Sequence, residues 1–211
     1  SGPRRDRTSQ LWIVGELDYR TRREVAWTAG GTAEVTVVAA NGTTVMSRTL
    51  DVAASTSAFV VTAPDTGGLE PGEYAVKVRL QANNADDVSV SGTARVAVAP
   101  SGNSGEGLLW RKGPSTGPKF LPTASARFLR SERIRLEVPR TGEGDVTAAM
   151  LDRLGQPNAV PVAVSERPDE SGEFSWIVAE APLAALAQGQ YAIEIAVGAT
   201  RHRTPFEVVP Y

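Results

Sequence analysis

Apolar and polar side chains alternate along most of this chain, and runs with a helical repeat are nearly absent. Tyr74, Val76, Val78 and Leu80 alternate with Ala75, Lys77, Arg79 and Gln81. A period of two puts the first set on a buried face and the second in water. Ile134, Leu136 and Val138 alternate in the same way with Arg133, Arg135 and Glu137, and Tyr191, Ile193, Ile195 and Val197 with Ala192, Glu194 and Ala196. The best helical candidate, Pro182 to Ala187, is a single turn. The chain is therefore expected to be all-β. At 41% hydrophobic residues it can bury a core, so wholesale disorder is excluded.

A second constraint is internal similarity at long period. Leu69-Glu70-Pro71-Gly72-Glu73-Tyr74 leads into the strand YAVKVRL, and Leu186-Ala187-Gln188-Gly189-Gln190-Tyr191 leads into YAIEIAV. Leu, Gly and Tyr keep identical spacing in the two halves. This spacing resembles the tyrosine corner of immunoglobulin-like and fibronectin type III sandwiches, where the tyrosine hydroxyl bonds back to nearby backbone. The resemblance implies structural roles for Leu69, Gly72, Tyr74, Leu186, Gly189 and Tyr191: leucine plugs the core, glycine supplies the turn and tyrosine starts the next strand. The second copy has Gln188 where the first has Pro71.

Each half holds about seven strand-like runs, the number such a sandwich requires. In the first half they lie near 11–19, 24–28, 33–40, 44–52, 58–62, 73–82 and 88–99. In the second they lie near 126–129, 133–139, 146–154, 159–165, 173–180, 190–197 and 203–209. Asn41-Gly42 between two such runs signals a two-residue type I′ hairpin turn. Asn41-Gly42-Thr43 is also a formal glycosylation sequon, but the turn accounts for it. Ala99 to Gly107 (APSGNSGEG) has a linker composition, and a second Gly/Pro cluster spans Gly113 to Pro118. The expected organisation is a disordered or cloning-derived N-terminus at 1–10, a first sandwich at 11–100, a linker and extended lead-in at 101–122 without a strand pair, and a second sandwich at 123–211.

Function is constrained mainly by exclusion. Lys and Arg number 22 against 24 Asp and Glu, a balance that argues against a nucleic-acid binder. No apolar run reaches the ~18 residues needed to span a bilayer, so no membrane insertion is expected. The polar opening lacks the apolar core of a signal peptide, so an export signal is absent or already removed. The chain has no cysteine and one histidine, which excludes disulfides, thiolate sites and histidine relays. His202 lies between Arg201 and Arg203, whose charges oppose the imidazolium a general base must become. Carboxylates cluster at Asp86-Asp87 beside Asn83-Asn84, at Glu143 and Asp145, and at Asp169, Glu170 and Glu173, but none follows an ordered calcium-ligand series. Gly102-x-x-Gly105-x-Gly107 neither follows a βαβ strand nor opens a helix, so it reads as linker rather than phosphate loop. No catalytic residue, cofactor or metal is expected. Trp12, Trp27, Trp110 and Trp176 are assigned to packing. Were they exposed in a row, they would support the alternative reading, a carbohydrate-binding module.

Phe128 to Pro139 (FLRSERIRLEVP), Ala148 to Val162 and Ala181 to Ile195 resemble a C-terminal region of large exported bacterial proteins related to von Willebrand factor A-type (VWFA) domain proteins. Trp27 to Gly31 and Leu69 to Tyr74 fit the same region less distinctively. This resemblance implies an extracytoplasmic location, periplasmic or secreted, and a non-catalytic accessory role as spacer or protein-interaction region. It brings no catalytic residue, and the A-domain adhesion motif Asp-x-Ser-x-Ser has no counterpart here. The expected partners are other domains of the parent protein or another protein, an acidic one being favoured by the stretch Arg111 to Arg135. That stretch carries Arg111, Lys112, Lys119, Arg127, Arg130, Arg133 and Arg135 against the single acid Glu132. Arg127, Arg133 and Arg135 form the candidate interaction surface, the last two projecting from the outer face of their strand.

Overall fold

The alternating segments pair into antiparallel ladders because each has one apolar face to bury and a backbone whose donors and acceptors need partners. The computed structural model describes residues 2–3, 9–17, 21–54, 58–85, 87–99, 107–114, 116–172 and 174–210. It is an all-β sandwich structure that divides into two compact units, Ser1–Asn103 and Ser104–Tyr211.

The first unit contains β1 (Gly2–Pro3), β2 (Ser9–Glu16), β3 (Gly31–Ala39), β4 (Thr44–Val52), β5 (Ala58–Ala63), β6 (Gly72–Ala82) and β7 (Ser89–Val98). One sheet has the order β1-β2-β5 and the other β4-β3-β6-β7. Leu11, Ile13, Phe59 and Val61 of the first sheet share a core with Val35, Val37, Tyr74, Val76 and Leu80 of the second. Ser9 and Gln10, assigned from sequence to a disordered or cloning-derived segment, are instead buried at the start of β2.

Two further expectations are corrected here. Residues 24–28 are not a strand, because Val25–Trp27 is a 3-10 helix. Only Trp27 of this segment is buried, while Val25 is 81% exposed, so the apolar residues never share a sheet face. The Asn41-Gly42 hairpin is not a two-residue type I′ turn. Gly42 N–H donates to Ala39 C=O at 2.9 Å, Ala39 N–H donates to Thr43 C=O at 2.9 Å, and Gly42 has φ 86°. The loop is therefore three residues long, with the glycine in the left-handed position that follows a tight turn. Asn41 Oδ1 accepts from Thr43 N–H at 2.9 Å and stiffens it.

The second unit contains β8 (Leu108–Lys112), β9 (Leu121–Pro122), β10 (Arg127–Leu129), β11 (Arg133–Pro139), β12 (Val146–Leu151), β13 (Ala163–Pro168), β14 (Ser175–Pro182), β15 (Gly189–Val197) and β16 (Thr200–Val209). Its sheets run β13-β14-β11-β8-β9 and β10-β16-β15-β12. Setting β9 and β10 aside, this is the ABED and CFG division of an immunoglobulin constant-type sandwich. Phe128, Ile134, Leu136, Met150, Ile177, Ile193 and Ile195 have no exposed surface. Phe128 meets Phe206 edge-on, with ring centroids 5.9 Å apart.

The expected strandless lead-in proves to be part of a sheet. Leu109 pairs opposite Leu136 and Trp110 opposite Arg135, so β8 is flanked by β11 and β9. The flanking Gly/Pro clusters terminate a short strand rather than signal its absence. Gly107 belongs to this packing: a Cβ there would collide with Leu136 and lie 2.7 Å from Val138 Cγ1. Residues 159–162 lie outside β13, which begins at Ala163. Asp152 ends β12 early, its Oδ1 accepting from Leu154 N–H at 2.8 Å and Gln156 N–H at 2.9 Å.

The repeated corner occupies matching places in the two units. Tyr74 is the third residue of β6, which lies between β3 and β7, and Tyr191 is the third residue of β15, which lies between β12 and β16. Leu69 and Leu186 are buried at 3% and 1% exposure. Gly72 and Gly189 hold nearly the same positive φ, 158° and 152°, which favours glycine.

Candidate functional site

The three arginines singled out from sequence do not converge. Arg127 lies on β10, in the β10-β16-β15-β12 sheet, whereas Arg133 and Arg135 lie on β11 in the other. Arg127 Nε donates to Glu207 Oε2 at 3.1 Å, across the parallel β10–β16 pair. Arg135 Nη2 lies 2.7 Å from Glu180 Oε1, on the strand β11 pairs with, and its guanidinium stacks 4.0 Å over the Phe120 ring. Arg133 is exposed and has no ion pair among the described residues.

The outer face around Arg135 holds a charge network. Glu137 is 1% exposed, although its alternation places it on the solvent side of β11. Arg167 Nη2 donates to its Oε2 at 2.7 Å, and Arg135 Nη1 lies 3.5 Å from Oε1. A carboxylate removed from water at this cost needs such partners. Arg167 also lies 5.2 Å from the Trp176 ring centroid, and Trp176 is itself 2% exposed. Further along, Glu132 is buried and its Oε2 accepts the Leu129 N–H at 2.7 Å, closing the β10–β11 turn. Arg111, inside the same basic stretch, donates to Thr123 Oγ1 at 2.8 Å and to Arg127 C=O at 3.1 Å. Arg130 donates to Ala184 C=O at 2.7 Å.

Several of the other candidates are likewise engaged in structural contacts, while Asp87, Glu143, Asp145 and Glu170 are exposed. Asp169 accepts from Ser171 N–H at 2.9 Å and from Trp176 Nε1 at 2.8 Å. Burial alone would raise its pKa, but the hydrogen bonds from Ser171 and Trp176 and the charge of Arg167 outweigh that and lower it. His202 is half-buried in β16 opposite Ile195, and desolvation lowers its pKa. Trp27 is 3% exposed and Trp176 2%, which removes both from any exposed aromatic row, while Trp12 and Trp110 are half-buried. Asn83 Nδ2 donates to Ala29 C=O at 3.2 Å. Asp86, Glu173, Gly102 and Gly105 lie outside the described residues. Among the described residues no three His, Asp or Glu side chains are grouped as a metal would require.

A shallow depression of about 420 Å³ opens on the outer face of the β10-β16-β15-β12 sheet. Leu151 and Ala192 form an apolar floor, with Arg127, Arg203 and Glu207 around it. Arg203 is held by Glu194 at 2.9 Å, and Arg201 reaches the same carboxylate at 3.0 Å. The Arg203 hydrogen bond, with the charge of both arginines, lowers the Glu194 pKa. Of the charged side chains around the depression, Arg127 is ion-paired to Glu207 and Arg203 to Glu194.

No protein-family model and no curated protein matches this chain.

Sequence reasoning places Arg133, Arg135 and Glu137 on one outer face but misses the partners. Glu180 and Arg167 come from strands far along the chain, and Phe120 precedes a two-residue strand that itself ends in Pro122. No local pattern announces that Glu137 is buried.

Proposed function

We propose that this chain is a non-catalytic β-sandwich module, with two sandwiches in tandem, of a larger exported bacterial protein, acting as spacer or protein-interaction region. One observation carries the reading. The carboxylates with the most chemical potential, Glu132, Glu137, Asp169 and Glu194, are each engaged by backbone, arginine or indole donors in structural positions. A group spent in this way is poorly placed for acid–base work or metal ligation. The extracytoplasmic location and the kinship with VWFA-related proteins rest on the sequence resemblance. Immunoblotting of fractionated cells of the source organism tests the location. The expected result is signal in the periplasmic or secreted fraction, and signal confined to the cytosol would overturn the reading.

A further inference from the structure

The two edges of the β4-β3-β6-β7 sheet differ sharply. β4 is interrupted: its pairing with β3 slips between Val37 and Val38 and skips Val45, and Arg48, at a core-facing register opposite Val35, turns to Asp65 at 3.4 Å. Bulges and inward charges of this kind keep an edge from pairing further. β7 has neither. Its ten residues pair with β6 without a register break, contain no proline, and carry one charge, Arg95. Ala82 N–H donates to Val88 C=O at the head of this pair. By the antiparallel alternation, the N–H and C=O groups of Ser89, Ser91, Thr93, Arg95 and Ala97 therefore point off the sheet.

Two further observations describe what this edge fits. On the core-facing side, Gly92 stands opposite Val78, and a Cβ there would meet nothing within 4 Å. Val78, Val90 and Val96 around it are only partly buried, so the sandwich is open at its flank. On the outer face, Lys77, Arg79 and Arg95 are exposed, and none is ion-paired to a described residue, although Glu34 lies across from Arg79. The paired arginines of the second unit provide the contrast. Only the small side chains of Ser91 and Thr93 stand between Lys77 and Arg79 and the open edge. A strand added there would lie about 10 Å from β6, two spacings of about 4.8 Å, within reach of long cationic side chains.

We propose that β7 docks an extended segment of a partner protein by strand addition, the segment carrying acidic residues at alternate positions and apolar residues between them. The acids meet Arg95, Lys77 and Arg79, and an apolar side chain enters the gap beside Gly92. A second copy of this chain fits less well, because it brings the same three cations onto one face. The inference deepens the interaction half of the proposed function and rests on it.

The test uses the full chain and a short fluorescein-labelled peptide of alternating Glu and Val, with a Lys/Val peptide as control, read by fluorescence anisotropy. Three exposed ion pairs lead to an expected preference of about tenfold for the Glu/Val peptide, and to a similar loss when Lys77, Arg79 and Arg95 are all replaced by Gln. Thr93→Pro, which removes one free N–H but no β6 bond, should weaken binding while the triple Gln variant keeps the native melting temperature. Failure of the Glu/Val peptide to bind, or binding that neither variant changes, would overturn the proposal. So would self-association in sedimentation that Thr93→Pro abolishes, since a second copy would then own the edge. None of these failures touches the cell-fractionation test, which reads location.

Discussion

The Tyr74 hydroxyl donates to the Glu70 carbonyl at 2.9 Å, four residues back along the chain. Tyr191 makes the same bond to Ala187 at 3.2 Å. Each closes the corner over which its chain enters the third strand of a four-stranded sheet. Tyr74→Phe should cost about 1 kcal/mol, the scale of one buried hydrogen bond, and Tyr191→Phe less, since its bond is longer and exposed. Urea denaturation with an unchanged slope measures both. Burial, with the nearby Glu70 charge, raises the Tyr74 pKa. The folded state then holds this proton more tightly than the unfolded one, so stability should fall as pH rises past the unfolded value of about 10. In Tyr74→Phe that part of the alkaline loss should vanish.

Asp169 supports acid behaviour of the opposite sign. Its pKa is lowered in the folded state, so its contribution is present above the ordinary carboxylate range and is lost as pH falls through about 4 and below. Asp169→Ala leaves the buried Trp176 indole N–H without this acceptor and should destabilise by about 1–3 kcal/mol. Tryptophan fluorescence during acid unfolding follows both effects. A variant as stable as the parent at neutral pH would show that the Asp169–Trp176 bond does not support the β13–β14 turn.

Buried and exposed ion pairs should separate in a mutant series. Arg127→Gln breaks a pair whose side chains are 68% and 43% exposed, and it should change stability by no more than about 0.5 kcal/mol. Glu137→Ala removes the buried carboxylate shared by Arg135 and Arg167, which stay 27% and 40% exposed, and should cost about 1–3 kcal/mol, whereas a well-packed Glu137→Leu should cost less. Chemical denaturation of the three variants distinguishes these outcomes.

Two glycines should respond oppositely to an added methyl. Gly107→Ala places it against Leu136, Val138 and the Glu137 carbonyl and should cost about 1–3 kcal/mol. Gly92→Ala meets open space at an ordinary strand conformation, and it should be neutral or stabilise by up to about 1 kcal/mol. Melting temperatures of the two variants settle the comparison.

Much of this architecture is legible in the residues alone. Alternation identifies Gly72–Ala82, Arg133–Pro139 and Gly189–Val197 because side-chain parity is a property of one strand and needs no partner. The corners are legible for the same reason, since Tyr74 bonds a carbonyl four residues away. The 3-10 helix at Val25–Trp27 reads as a strand because three apolar-leaning residues do not say which of them finds a core. Leu108–Lys112 escapes a local reading because a five-residue strand between glycines and prolines shows its character only when β11 lies beside it.

What the sequence by itself determined is most of the longer strands, which of their faces carries the apolar core, and the two tyrosine corners, all read from patterns within a few residues. The tertiary structure alone decided which charges are consumed. Arg135 meets Glu180, and Glu137 meets Arg167, because sheet order and register bring together segments tens of residues apart. The same ordering leaves Lys77, Arg79 and Arg95 without ion-pair partners among the described residues, beside an open edge. A basic residue's availability depends on its neighbours across the sheet, and those neighbours are fixed by long-range pairing rather than by local pattern.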